Sequence, residues 1–196
     1  MLENLNKEQL EAVKTTEGPL LVLAGAGSGK TKVLTTRVAY LIDELGITPE
    51  SILAITFTNK AAKEMKDRIF KMLGTVAYQI QISTFHSFGL TILKEHYDKL
   101  GYDKNFTILD SDDSSTVVKK ILKDMDKDPK KYSYKAIRNK ISSAKNELME
   151  PEDLAKFSTN DMDDLVVDVY KKYKEKLRTN NSVDFDDLLM LPITLF

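Results

Sequence analysis

The chain has 196 residues, 42% of them hydrophobic and 30% charged, with 29 Lys and Arg against 30 Asp and Glu. That fits one domain or two small ones, with a core that needs no disulfide or metal to hold it. Zero Cys excludes a disulfide frame, a thiol nucleophile and a cysteine metal site, and no apolar run approaches the roughly 18 residues of a spanning helix.

Met1-Leu2-Glu3-Asn4 lacks the charged and apolar regions of a signal peptide, so a soluble, cytoplasmic protein with no membrane partner is expected. Leu5 to Val13 repeats apolar residues at helical spacing, with Asn4 or Asn6 as N-cap, and Gly18-Pro19 breaks it. Leu20-Leu21-Val22-Leu23 is an all-apolar run of the kind that forms a strand buried on both faces. Thr31 to Leu45 reads as a helix stopped by Gly46, and Ile52 to Ile55 as a second strand. A helix over Lys60 to Leu73 ends at Gly74; Ile80 to Ser83 is a third strand, followed by a helix from Ser87 to Leu100. Strands alternating with helices of about 12–15 residues predict βαβ units and a parallel sheet.

After Gly101 the pattern changes. Apart from Phe106 to Leu109, only helical segments follow, near 112–125, 133–147, 151–157 and 161–178, as in a helical insertion or second domain beginning near 102. Asp184 then caps a helix over residues 185–190, with Asp187 three positions on. Pro192 bends or ends that helix, and the apolar run to Phe196 reads as a cut rather than a natural end.

Local charge is uneven. Residues 119–145 carry 10 basic and 3 acidic side chains, whereas 146–170 carry Lys156 alone against 8 acids. The basic stretch, with Lys135, Arg138, Lys140 and Lys145, is either a local polyanion surface or a solvated helix face. Tyr132 and Tyr134 within it read as packing rather than stacking residues, and the acidic stretch as a solvated face.

Ala24-Gly25-Ala26-Gly27-Ser28-Gly29-Lys30-Thr31 matches the phosphate-binding loop pattern, with Ala24 in place of its first glycine. Glycines let successive backbone N–H groups turn inward around a phosphate, and the helix that follows adds its positive end. Lys30 can reach the β- and γ-phosphates, and the Thr31 hydroxyl can bind Mg²⁺. Phe57-Thr58-Asn59 and Thr84-Phe85-His86 each sit where a strand ends and a helix begins, the place where open α/β sheets bind ligands. Phe57 can offer a stacking face to a base, and Thr58 and Asn59 can present N–H groups to a phosphate. The plainer reading is an N-cap beside a core Phe. His86 has no nucleophile or paired carboxylate in its segment and carries no bond-making role.

The order of these motifs resembles the N-terminal part of a superfamily 1 DNA helicase of the PcrA/UvrD/Rep group, and within it the PcrA branch most. The segments that carry the resemblance are Leu5 to Gln9, the phosphate loop, Ile55 to Ala62, Ile82 to Ser87, Ser143 to Glu147 and Asp184 to Leu188. It implies an α/β fold: a RecA-like P-loop NTPase domain with a parallel sheet over 1–101, an inserted helical subdomain over 102–182, and a return to the first domain over 183–196. It further implies that Gln9 reads adenine, an amide being able to accept from N6 and donate to N7 at once. Residues 24–31 would then hold ATP, with Lys30 and Thr31 as the catalytic pair and Thr31 on Mg²⁺. Phe57, Thr58, Asn59, Thr84 and His86 would touch single-stranded DNA, and Lys145, in a segment that meets duplex in the family, would touch DNA as well.

The implied whole is an ATP-dependent 3′–5′ helicase and translocase acting at junctions of single- and double-stranded DNA, in DNA repair or DNA replication, with repair or transcription proteins as further partners. The rival reading is a non-catalytic DNA-binding module with a vestigial nucleotide site. Lys32 stands where many relatives have Arg, and Pro192 is also unlike them. The acidic pair on a later strand, the arginine fingers and the second RecA-like domain have no counterpart here, since Asp186-Asp187 precedes that strand. The chain therefore reads as a monomeric fragment, inactive alone, that holds half of an ATP site and part of a DNA track.

Overall fold

The computed structural model describes residues 2–128 and 131–196; Lys130 of the basic stretch lies outside them. The chain divides into two compact units, Met1–Phe85 and His86–Phe196.

In the first unit, α1 (Lys7–Lys14) starts at Asn6, whose side chain accepts from the Gln9 N–H while the Gln9 side chain accepts from the Asn6 N–H. That reciprocal box settles the N-cap on Asn6 rather than Asn4. Next come α2 (Lys30–Asp43), β1 (Leu53–Thr56), α3 (Asn59–Leu73) and β2 (Gln81–Thr84). β1 and β2 pair in parallel, Leu53 against Gln81 through Thr56 against Thr84, as the alternating pattern predicted. Val38, Met65, Ile69, Ala77 and Ile80 form the core beneath them, and Ala12, Val13 and Val33 fix α1 on α2.

The strand expected at Leu20–Leu23 does not form. No strand is assigned there, and Leu21 and Leu23 are 82% and 86% exposed. An all-apolar strand is stable only with neighbours along both edges and cover on both faces; among the described residues β1 and β2 pair with each other and not with this run.

The second unit holds α4 (Phe85–His96), β3 (Thr107–Leu109), α5 (Ser111–Asp124), α6 (Tyr134–Asn146), α7 (Pro151–Ala155), α8 (Asp161–Thr179), β4 (Ser182–Asp184) and α9 (Asp187–Ile193). Polar side chains start the longer helices: Asp110 caps α5, Ser133 caps α6 and Asn160 caps α8. Their apolar stripes meet in one core of Val118, Leu122, Ile137, Ile141, Val169, Tyr170 and Tyr173.

The units part at 85/86 rather than near 102, for two reasons of packing. α4 joins the later residues through Leu93, which packs with Val183 and Leu188, and through Gly89, where a Cβ would meet the Leu188 carbonyl at 1.8 Å. β3 and β4 also pair in parallel, Thr107 with Ser182 to Leu109 with Asp184, so the segment after 182 returns to this unit. Pro192 is buried inside α9, which ends one residue later. Among the described residues no helix is long and apolar enough to cross a membrane.

Candidate nucleotide and nucleic-acid site

The phosphate-loop pattern becomes a turn onto α2. Gly27 and Gly29 have φ of 75° and 86°, and Gly29 is the N-cap residue; L side chains rarely tolerate that region, so glycine is required at both. Lys30 Nζ donates to the Gly25 carbonyl at 2.7 Å and to the Ala24 carbonyl at 3.3 Å, and Ser28 Oγ donates to Gly25 at 2.7 Å. The lysine is thus folded over its own loop, where a phosphate oxygen could replace those carbonyls as its acceptor. Lys30 and Thr31 are both exposed at the start of α2.

Gln9 reaches the same loop from α1. Its Nε2 donates to the Ser28 carbonyl at 2.9 Å, which places the base-reading candidate beside the phosphate-binding candidate. A cavity of about 560 Å³ opens here, lined by Gln9, Val22, Gly25, Lys30 and Leu34 among others, within the usual size range of small-molecule sites. Loop, lysine, hydroxyl and amide form a donor set that suits a nucleoside triphosphate with its Mg²⁺.

At the carboxyl end of β1 and β2 the first unit presents two aromatic rings. Phe57 is 93% exposed, which overturns the core reading, and lies 6.3 Å from Phe85, itself 54% exposed. Thr58 takes the plainer role offered to it: its hydroxyl accepts from the Ala61 N–H at 3.1 Å and caps α3. Asn59 is exposed on the first turn, whereas Thr84 is buried at 7% and so is not set out as a surface contact. In the second unit the exposed His86 ring lies 5.7 Å from the ring of Phe185, which is 46% exposed.

Lys145 is a correction. Expected at a DNA surface, it is 3% exposed, with Nζ donating at 2.8 Å to both Asp184 Oδ2 and Asp187 Oδ1. Tyr173 donates to the same Asp184 oxygen at 2.9 Å. Asp184 Oδ1 also accepts from the Asp187 N–H at 2.9 Å and Asp187 Oδ2 from the Asp184 N–H at 3.0 Å, which closes the turn that carries Phe185. An ammonium this enclosed and this well matched cannot also meet a phosphate.

Two carboxylates share one cation, and their electrostatics differ accordingly. Burial pulls the Lys145 ammonium down, but the Asp187 and Asp184 charges outweigh it and hold the group above the ordinary lysine value. For Asp184, burial pushes up, and attraction and hydrogen bonding to Lys145 prevail, leaving it below the usual carboxylate value. For Asp187, burial prevails over Lys145, Asp184 adds repulsion, and the carboxyl is pushed up to about 6.

The rest of the basic stretch is partly spoken for. Lys140 pairs with Asp163 at 2.9 Å, so the acidic stretch is not only a solvated face. Lys119 lies over the Tyr134 ring, and Lys127 and Lys131 over the Tyr132 ring. Both tyrosines pack against the helical core rather than offering a free face. Lys135 stays exposed on α6.

The match to known proteins settles the family. A model of the UvrD/REP helicase N-terminal domain matches residues 5–196. The chain belongs to that family. The PcrA ATP-dependent DNA helicase of Bacillus subtilis (strain 168) is 55% identical to it over all 196 residues, and those of Staphylococcus aureus (strain Mu50) and Staphylococcus epidermidis are 50% identical. The chain spans only about a quarter of these relatives, 26% of the first and 27% of the others.

In this UvrD/REP helicase N-terminal domain, Phe185 and the ion cluster of Lys145, Asp184 and Asp187 carry little signal in the sequence. The Asp184-Phe185-Asp186-Asp187 pattern signalled a helix cap, and the aromatic residue between its two ends was the sign available. Lys145 as the partner of both carboxylates had no local signal, because 39 and 42 residues separate them.

Proposed function

We propose that the chain is the ATP- and single-stranded-DNA-binding N-terminal region of a 3′–5′ DNA helicase and translocase, with a RecA-like domain and an inserted helical subdomain. The observation that carries this reading is the joining of Gln9, the Gly27–Gly29 turn and Lys30 around one cavity, in a chain with the exposed Phe57 and Phe85 rings at its strand ends. A RecA-like sheet would give the apolar Leu20–Leu23 run the flanking strands that it needs.

In this reading ATP–Mg²⁺ sits on residues 24–31. Backbone N–H groups and Lys30 bind the phosphates, Thr31 offers its hydroxyl to the metal, and Gln9 meets the base. Bound nucleotide supplies the energy of the motor, while this chain's residues bind and orient it. In the first unit Phe57 and Phe85 offer faces for bases and Asn59 a polar contact to DNA; in the second, taken by itself, Phe185 offers a face and His86 a polar contact. Thr58 contributes as the cap that orients the first turn of α3. The substrate is single-stranded DNA and its junctions with duplex, in the cytoplasm, in repair or replication.

Stacking of one base on an aromatic side chain is worth about 1–3 kcal/mol. In the full-length protein, Phe57→Ala should therefore weaken binding of oligo-dT about tenfold or more, read by fluorescence anisotropy, and leave the KM for ATP near its original value. Unchanged affinity in this variant and in Phe85→Ala would contradict the placing of DNA at these strand ends.

A further inference from the structure

The Gln9 amide is held at both ends. Oε1 accepts from the Asn6 N–H at 3.1 Å, and Nε2 donates to the Ser28 carbonyl at 2.9 Å. A primary amide has two acceptor sites and two N–H donors, so one of each remains. Adenine presents an N6 donor beside the N7 acceptor, which that remaining pair satisfies. Guanine presents O6 and N7, both acceptors, and would set O6 against Oε1. Turning the amide over does not relieve that clash, because Oε1 would then meet N7, which is also an acceptor, and adenine would meet a like group at both positions. Turning it would also face Nε2 with the Asn6 N–H and Oε1 with the Ser28 carbonyl, two further repulsive contacts. Base choice therefore depends on the distance from α1 to the phosphate loop staying fixed.

α1 has 8 residues and is too short to hold itself in place. Apolar contacts of Ala12 and Val13 with Val33 set its face on α2, and two cations of α2 hold its ends. Lys32 donates to the Asn4 carbonyl just ahead of α1. Arg37, half-buried and two turns beyond Lys30, donates from Nη1 to the carbonyls of Ala12, at 2.6 Å, and Thr15. Both carbonyls lie at the carboxyl end of α1, where oxygens have no partner within the helix and a cation is favoured.

We propose that Arg37 is a positioning residue for base selection: by fastening the carboxyl end of α1 to α2 it keeps Gln9 in the one amide orientation that accepts adenine and rejects guanine. Lys32 supports the other end of α1, a role that needs one donor and no planar fork. The inference rests on the reading of residues 24–31 as an ATP site.

The test is steady-state turnover of ATP and of GTP by the full-length protein, for wild type, Arg37→Met and Arg37→Lys, with Lys30→Ala as blank. Wild type is expected to favour ATP in kcat/KM by about tenfold or more, the discrimination one good bidentate pair provides. Arg37→Met should lose most of that preference through a raised KM for ATP, with kcat and the KM for GTP little changed. Arg37→Lys, which retains a donor for the same carbonyls, should keep the larger part of it. A KM that rises equally for both nucleotides, or a preference intact in Arg37→Met, overturns the inference; should Arg37→Met not fold, a full loss of preference in a folded Arg37→Lys would overturn it too. Equal use of ATP and GTP by wild type also overturns it and leaves the nucleotide site standing, whereas wild-type turnover no higher than the Lys30→Ala blank brings down the site reading and the inference together.

Discussion

Replacing Lys145 by Ala should cost the second unit about 3–5 kcal/mol, the range for removing one partner of a buried ion pair. The cost arises because Asp184 and Asp187 stay behind, 3% and 6% exposed, with no cation to offset their lost hydration. Urea unfolding followed by far-UV circular dichroism reads it directly. A neutral variant of similar volume, Lys145→Met with Asp184→Asn and Asp187→Asn, should recover most of the loss, since buried pairs exchanged for neutral groups are often close to even. A Lys145→Ala protein of unchanged stability but weakened DNA binding would restore the lysine to a surface contact and contradict its burial.

The same cluster sets a pH dependence. Asp187 has a folded value of about 6 against 3.8 in the unfolded chain. The fold therefore binds a proton there that the unfolded chain releases, and stability from this group rises as pH falls from neutrality towards the unfolded value. Asp184 has the opposite shift, and its contribution is lost only as pH falls below 3.8, outside that window. Lowering the pH from 7.5 to 5 should stabilise the second unit by about 1 kcal/mol, an effect that Asp187→Asn removes. Such a variant with the same pH slope as wild type would place the titration elsewhere.

Lys30→Ala should lower ATP turnover of the full-length protein by about a hundredfold or more, the loss typical of one preorganised group stabilising developing charge. Lys30 lies at the surface on the first turn of α2, with its ammonium donating to two loop carbonyls, so its removal leaves the core of the first unit untouched. An unchanged melting temperature with lost turnover is the expected pair of results. Turnover that survives would mean the nucleotide binds elsewhere.

Local patterns proved the most legible part of the sequence. The glycines of residues 25–29, the helix stops at Gly46 and Gly74 and the polar residue before α3 each act within a few neighbours, and each is visible as a string of letters. So is the parallel pairing of β1 and β2, implied by the helix between them. Leu20–Leu23 was misread because strand formation depends on partners and not on the run itself. Lys145 was misread for a related reason. It is one of ten basic side chains spread over residues 119–145, and charge alone does not distinguish the one whose ammonium faces inward. Helical spacing does, because Ile137, Ile141 and Ala144 are buried and position 145 falls on the same stripe. Phe57 was legible in type but not in exposure, because a ring at a strand end packs or protrudes according to what covers it.

The most direct test of the account is ATP turnover by the full-length protein, with and without single-stranded DNA. Turnover should rise when oligo-dT is added and fall to the blank in Lys30→Ala. A rate that does not respond to DNA would contradict it, because the nucleotide loop and the aromatic strand ends would then serve unconnected purposes.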